Sequence, residues 1–284
     1  MAAVLAGKFF HVPVVLSARG TDINLYTKLF VIKRLIQFAL RSADRCVAVS
    51  ADLKKTMVFL GIEESKINVI PNGIDPERFY KIDKFQAREY LGLSLKGKIL
   101  LSVGALIEIK GHHLLIEALA KLRQGDRLTF KTYIVGQGEW YDKLASLVNN
   151  YGLQEYVFLQ GGVANRELVF WYNAADLFFL GSSREGWPNV VMESLACGTP
   201  VLATAVNGIP EIISRAELGT IMANRSVDCF CREIPKALAR SWDHMKIYQF
   251  GQSRTWDMVA QEVCHLFTGL MKSDNVFAGG MDVF

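Results

Sequence analysis

The chain has 284 residues, of which 51% are apolar and 11% aromatic, enough to build one large or two medium packed domains and too many for a disordered segment. Its 32 basic and 28 acidic residues leave a formal charge of +4, a mild excess that does not demand a nucleic-acid partner, and none is expected. Five cysteines, an odd number without a Cys-x-x-Cys pair, predict reduced thiols in a cytoplasmic protein rather than a disulfide framework.

No apolar run reaches the length of about eighteen residues that a membrane span needs. Residues 1–16 are apolar, but they lack a basic start and are interrupted by Lys8, His11 and Pro13, so they are not read as a signal peptide. Ala2–Phe10 reads as the end of a helix and Val12–Ser17 as a buried strand. Leu25–Arg41 has helical periodicity, with Leu25, Ile32, Leu35, Ile36 and Ala39 as its inward stripe. Its Lys28, Lys33, Arg34 and Arg41 form either the basic rim of a core helix, which is the favoured reading, or a surface for peripheral contact with the inner face of a membrane. Cys46–Val49 predicts a strand, Ala51–Leu60 a helix ended by Gly61, and Ile67–Ile70 a strand before the turn Pro71-Asn72-Gly73.

Residues 76–96, charged and without a clear period, predict a linker. Beyond it, strands at 98–103, 129–135, 156–160, 176–180 and 200–204 alternate with helices, a pattern that means α/β with a parallel sheet. The expected division is a front domain over 1–75, the linker 76–96, and a second domain over 97–250. A helix and tail at 251–284 are expected to cross back to the front. The front domain holds about three strands, whereas a Rossmann-type half has about six, with about 30 or more residues in each βαβ unit. On that arithmetic about 80–100 residues are expected upstream of Met1, a naturally shortened domain being the alternative.

The most informative stretch runs from Gly181 to Pro200 and follows the buried strand Leu177–Leu180. Pro188 suits the first position of a helix, where its missing N–H is no loss. Gly198 sits where a left-handed residue closes that helix, and Pro200 prevents continuation. The N–H groups of Asn189 and Val190 then lie at the positive end of a helix dipole, an arrangement suited to phosphate. Glu185 stands in the loop before the helix. Glu193 stands in its second turn, on the same face as Asn189. Carboxylates accept hydrogen bonds from hydroxyls, so the unit suits a phosphorylated, hydroxyl-rich ligand.

This stretch, Ser-Arg-Glu185-Gly-Trp-Pro-Asn-Val-Val-Met-Glu193-Ser-Leu-Ala-Cys-Gly-Thr-Pro-Val, resembles the signature of retaining glycosyltransferases of the GT-B fold, family 4. The resemblance covers about residues 12–265. It implies two Rossmann-like domains with parallel sheets, the first of them incomplete here. The implied reaction moves a sugar from a nucleoside diphosphate sugar donor to an acceptor hydroxyl, with retention and with no metal or cofactor. It further implies that Glu185 holds the donor sugar and Glu193 the ribose, with Gly186, Trp187, Pro188, Asn189 and Val190 completing the donor site.

Val103-Gly104-Ala105 through Lys110-Gly111 reads as a strand end, a loop and a helix start, the place where α/β sheets bind ligands. A cation at Lys110 would meet charge developing on a leaving diphosphate, unless it is an ordinary solvated lysine. Similarity to the family's Lys-Gly element implies the first role and makes Lys110, with Glu185, a catalytic candidate. Many members carry an Arg where this chain has Ala105. More charge then falls on Lys110 and the helix tip, or a second cation comes from elsewhere. The family's His-Gly element is Arg19-Gly20 here. Arg19 and Asp22 are therefore either acceptor-side residues or a local ion pair. Gly161 resembles a position whose backbone meets the nucleotide base.

Gly136-Gln-Gly138 is an incomplete dinucleotide fingerprint, since position 141 is Tyr, and reads as a structural turn. Adjacent His112 and His113 face different ways, and Cys229-x-Cys231 lacks further ligands, so no metal site is predicted. Two other classes fit the same residues. One is a GT-B-like epimerase or phosphorylase, and the other a non-catalytic nucleotide-binding remnant of a transferase.

Overall fold

The structure is a computed structural model that describes residues 1–20, 23 and 29–278. Two units emerge. The first comprises Met1–Gly73, Glu185–Trp187 and Arg254–Phe284, and the second Ile74–Arg184 and Pro188–Ser253.

The first unit contains a parallel three-stranded sheet in the order β1 (Val15–Ala18), β2 (Arg45–Ala48), β3 (Ile67–Val69). Cys46 pairs with Leu16 on one side and Ile67 on the other. β1 is an edge strand: Val15 and Leu16 are half-buried and Ser17 is exposed, so the buried strand expected at Val12–Ser17 is shorter, shifted and wetter. The helices are Ala2–Phe10, Phe30–Ser42, Ala51–Phe59 and Trp256–Ala278. Ser50 caps the third by accepting from Leu53 N at 3.1 Å, and Gly61 (φ 82°) follows it. The inward stripe expected on the second helix narrows to Ala39 and Leu40, with Ile32 and Ile36 half-buried. Leu35 is 45% exposed, and Leu25 lies outside the described residues. Arg254 is fixed on two sides, donating to the Pro71 carbonyl at 3.0 and 3.1 Å and to both oxygens of Glu262 at 2.8 and 2.9 Å.

The second unit holds six parallel strands: β4 (Lys98–Val103), β5 (Phe130–Val135), β6 (Val157–Gly161), β7 (Leu177–Leu180), β8 (Val201–Thr204) and β9 (Gly219–Met222). Their order is β6-β5-β4-β7-β8-β9, the 3-2-1-4-5-6 arrangement of doubly wound nucleotide-binding sheets. The central strands β4, β7 and β8 are buried on both faces almost throughout, as parallel sheets require, while the edge strands β6 and β9 are only partly buried. The core gathers Leu100, Leu115, Leu119, Ile134, Phe179, Leu202 and Phe230. β9 has no counterpart in the sequence reading.

The region expected as a linker over 76–96 contains a helix, Lys84–Tyr90, within this second unit. Asp83 caps it by accepting from Phe85 N and Gln86 N. Its buried residues are Ala87 and Arg88, and the arginine hides the period. Arg88 is 2% exposed and donates to Asp176 Oδ2 at 2.8 Å, and to the carbonyls of Ala174, Leu95 and Gly97. Asp176 also accepts from Ile99 N and Lys84 Nζ, each at 2.8 Å.

The thiols of Cys46, Cys197, Cys229 and Cys231 are buried, and Cys264 is exposed. Among the described residues no helix is long and apolar enough to cross a membrane.

Candidate functional site

In the second unit's sheet, β4 and β7 are neighbours, yet the chain leaves β4 toward β5 and leaves β7 toward β8, in opposite directions across the sheet. The crevice beyond their carboxyl ends is the topological switch point, where such sheets bind ligands. Two loops form it, one after Val103 and one after Leu180. They are stitched together: Ser183 N donates to the Ile109 carbonyl at 2.9 Å. Arg225, arriving on the loop after β9, donates through Nε to Gly181 O at 2.8 Å and through Nη2 to Glu108 O at 3.1 Å. Gly111, at φ 76°, is needed here because a Cβ would collide with the Gly181 carbonyl oxygen.

Lys110 ends the tight turn Glu108–Lys110, directly before the helix His112–Gln124. Its aliphatic stem lies along Gly104, 3.6 Å from where a Cβ of that residue would sit. A Cβ at Gly104 would therefore meet the lysine stem at ordinary van der Waals distance. Ala105 is exposed beside them. Gly136 and Gly138 let the loop after β5 pack on the loop after β4. A Cβ on either would strike the carbonyl oxygen of Gly104 or of Leu106. The Gly-x-Gly element is a packing device, as its incomplete fingerprint suggests. Gly161 ends β6 at φ 70°, and its carbonyl accepts from Gly136 N at 2.8 Å.

The helix after β7 is Asn189–Ala196. Pro188 is its N-cap (φ −73°, ψ 102°) rather than its first residue, so the helix starts one position later than expected. Pro188 O accepts from Val191 N at 3.0 Å. By helix geometry the N–H groups of Asn189 and Val190 lie in the first turn, at the positive end of the helix dipole. Gly198 (φ 78°) terminates the helix, and Ser194 Oγ donates to Thr199 O at 3.0 Å.

Glu193 is partly buried on this helix, and Tyr172 OH donates to its Oε2 at 2.8 Å. Burial raises the Glu193 carboxyl above its ordinary range, against the opposing pull of that hydrogen bond and of the Arg78 charge. Sequence reasoning passed over both partners. Tyr172 sits in a run of large apolar residues, and Arg78 falls in the stretch read as a linker.

Glu185, Gly186 and Trp187 group with the first unit. Gly186 lies against Arg19 and Gly20, where a Cβ on Gly186 would strike the Arg19 carbonyl oxygen. Trp187 packs against a core that includes Ala18, Ile23 and Leu53. Arg19 donates to Asn72 Oδ1 at 3.0 Å, so its partner comes from the Pro71-Asn72-Gly73 turn. Asp22, the other acceptor-side candidate, lies outside the described residues. His112 is buried 3.3 Å from Ser102 Oγ. Burial, with the nearby Lys110 charge, lowers its pKa to about 4, so it stays neutral at ordinary pH. Among the described residues no cluster of three or more His, Cys, Asp or Glu side chains is placed to hold a metal.

Comparison with known proteins gives two family matches. The family model described as "Glycosyl transferases group 1" covers residues 83–254, and the one described as "Glycosyltransferase Family 4" covers residues 1–78. D-inositol 3-phosphate glycosyltransferase of Frankia alni is 32% identical over 198 residues, spanning 66% of this chain and 49% of that protein. N-acetyl-alpha-D-glucosaminyl L-malate synthase of Bacillus anthracis is 29% identical over 210 residues, spanning 74% of this chain and 54% of that protein. The chain thus spans about half the length of the curated relatives it matches.

Among solved structures, HepE of Anabaena in complex with UDP superposes with a TM-score of 0.82 at 20% identity, covering 94% of this chain and 75% of that one. Sucrose-phosphate synthase from Thermosynechococcus elongatus gives a TM-score of 0.77 at 21% identity, over 95% of this chain and 72% of that one.

Proposed function

The chain belongs to the family of glycosyl transferases group 1 and has the GT-B fold, and on that premise we propose that it transfers a sugar from a nucleoside diphosphate sugar to an acceptor hydroxyl with retention of anomeric configuration. The observation that carries this reading is the switch point of the second unit. There the stem of Lys110 lies along Gly104, and a helix of the same unit presents two amides at its start and Glu193 on its side. Lys110 and the amides of Asn189 and Val190 receive the diphosphate, whose charge grows as the glycosidic bond breaks, and they supply that stabilisation without a metal. Glu193 accepts from the ribose hydroxyls. Glu185 accepts from the donor sugar, and the reduced thiols suit work in the cytoplasm.

Incubation with uridine and guanosine diphosphate sugars tests the reaction, with D-inositol 3-phosphate and L-malate as first acceptors because relatives are named for them. The expected result is a new glycoside in step with released nucleoside diphosphate, its anomeric configuration read by NMR. Free sugar, or a need for phosphate, would instead assign an epimerase or phosphorylase. Binding without turnover would leave a binding module.

The two carboxylates are expected to separate by ligand. Glu193→Gln replaces a charged acceptor by a neutral one and should weaken the bare nucleoside diphosphate by about 1–2 kcal/mol. Glu185→Gln should leave the bare nucleotide unchanged and weaken only the sugar nucleotide. Calorimetric titrations showing equal losses for both ligands in both variants would remove this division of roles.

The helix Phe30–Ser42 exposes Phe30, Leu35 and Phe38 and carries Lys33, Arg34 and Arg41. That composition suits peripheral contact with an anionic membrane face. Co-sedimentation with vesicles containing phosphatidylglycerol should be lost in Lys33→Glu/Arg34→Glu, and equal sedimentation of parent and variant would refute the contact.

A further inference from the structure

We propose that Tyr172 is the positioning residue that makes Glu193 selective for a ribose, its hydroxyl fixing the plane of the carboxylate that receives the two ring hydroxyls. The inference rests on the reading of Glu193 given above. Tyr172 lies on the helix Leu168–Ala174, completely buried, and its OH donates to Glu193 Oε2 at 2.8 Å across 21 positions of sequence.

The ring is held independently of that bond. It meets Phe79 and Phe178 edge-on, with centroids 6.0 and 5.6 Å away, and Thr199 Oγ1 donates to the Tyr172 carbonyl at 2.7 Å. A phenol fixed from three sides is a rigid donor, and it aims at the one carboxylate of the helix Asn189–Ala196. A carboxylate oxygen accepts more than one hydrogen bond, so the phenol orients Glu193 without exhausting its acceptors. A vicinal diol needs two acceptors at a set spacing and angle, and a freely rotating Glu would present them only part of the time.

The phenol has a second effect on the same group. Burial favours the neutral acid, which accepts less well, and the Tyr172 hydrogen bond opposes this. The ionisable groups that bear on Glu193 and its phenol are Tyr172, Arg78 from the segment Ile74–Phe79, and Cys197 at the end of its own helix. Of these, Tyr172 alone donates to it among the described residues.

The test is the ratio of affinities for a nucleoside diphosphate and its 2′,3′-dideoxy analogue, measured calorimetrically on the whole chain. Uridine and guanosine forms are both titrated, and the base that the parent binds is used. The parent should prefer the ribose form by about tenfold, and Tyr172→Phe, which keeps the ring contacts, should reduce this to about twofold. In a Glu193→Gln background Tyr172→Phe should leave the ratio unchanged. The pH below which the ribose preference fades should also rise in Tyr172→Phe. A variant that weakens both ligands equally, with the parental ratio kept, shows Tyr172 to be packing only and overturns the proposal.

If the parent binds neither base, or if Glu193→Gln keeps the parental ratio, the assignment of Glu193 to ribose fails first. If Tyr172→Phe does not fold, difluorotyrosine at 172, a stronger donor of nearly the same shape, should raise the ratio. An unchanged ratio there overturns the proposal equally.

Discussion

Asp176→Ala is expected to destabilise the second unit by about 3–5 kcal/mol, because it leaves the Arg88 guanidinium buried without its counter-charge. Arg88 and Asp176 are 3% and 8% exposed at the side chain, and Lys84 adds a second cation at 2.8 Å. Burial raises the Asp176 carboxyl, but the Lys84 hydrogen bond and charge, the Ile99 N–H and Lys98 together hold it below the usual carboxylate range. The sign for pH follows. A depressed folded-state pKa contributes stability that is present above the ordinary carboxylate value of about 3.9 and is lost as pH falls through the folded value. Urea unfolding at pH 7 should show the full difference from the parent, and the difference should shrink at acid pH. Arg88→Met/Asp176→Leu should recover most of the loss, since an apolar pair leaves no buried charge. A single variant within 1 kcal/mol of the parent at pH 7 would show that the pair is not holding the segment 84–98.

Lys110→Ala is expected to slow sugar transfer by about 10²–10³-fold, the cost of removing one donor from a developing anion. Affinity for the nucleoside diphosphate should fall about tenfold or more, and its salt dependence should flatten, while affinity for the uncharged nucleoside stays put. The reason is local. The Lys110 stem runs along Gly104, and residue 105 is an alanine that brings no charge. Ala105→Arg in the Lys110→Ala background should restore diphosphate binding more than nucleoside binding. If Lys110→Ala binds diphosphate as the parent does, the lysine is a surface residue and the cation of this site lies elsewhere.

The sheet of the second unit was readable because buried parallel strands are near-continuous apolar runs, broken only by Ser102 at Leu100–Val103 and unbroken at Leu177–Leu180. The helix that follows β7 was readable from its punctuation, with an error of one residue at Pro188. β9 escaped because Gly219–Met222 is short, begins with glycine and has only its two end residues buried. The helix Lys84–Tyr90 escaped because its buried side is only Ala87 and Arg88, and an apolar period skips the arginine. Leu35 was misplaced for the opposite reason: the period is present, but the buried side of its helix is narrower than the stripe. Within the candidate site, the residues proposed to touch ligand carry a local motif, whereas their supports do not. Tyr172 and Arg225 act across 21 and 44 positions of sequence, through a phenol in an apolar run and a guanidinium on carbonyl oxygens. Nothing in linear spacing marks such contacts.

The distribution of thiols gives the molecule a built-in clock. Burial pushes the Cys46 thiol up to about 11 and raises Cys197 and Cys231 as well, so these groups are both shielded and short of thiolate. Cys264 stands in the open on the helix Trp256–Ala278. An alkylating reagent therefore finds one site in the native state and five in the unfolded chain. Because Cys46 lies in the first unit and Cys197, Cys229 and Cys231 in the second, peptide mapping of the tagged positions separates the opening of each by rate. The order in which the tags appear would time the loosening of the two halves in a single tube.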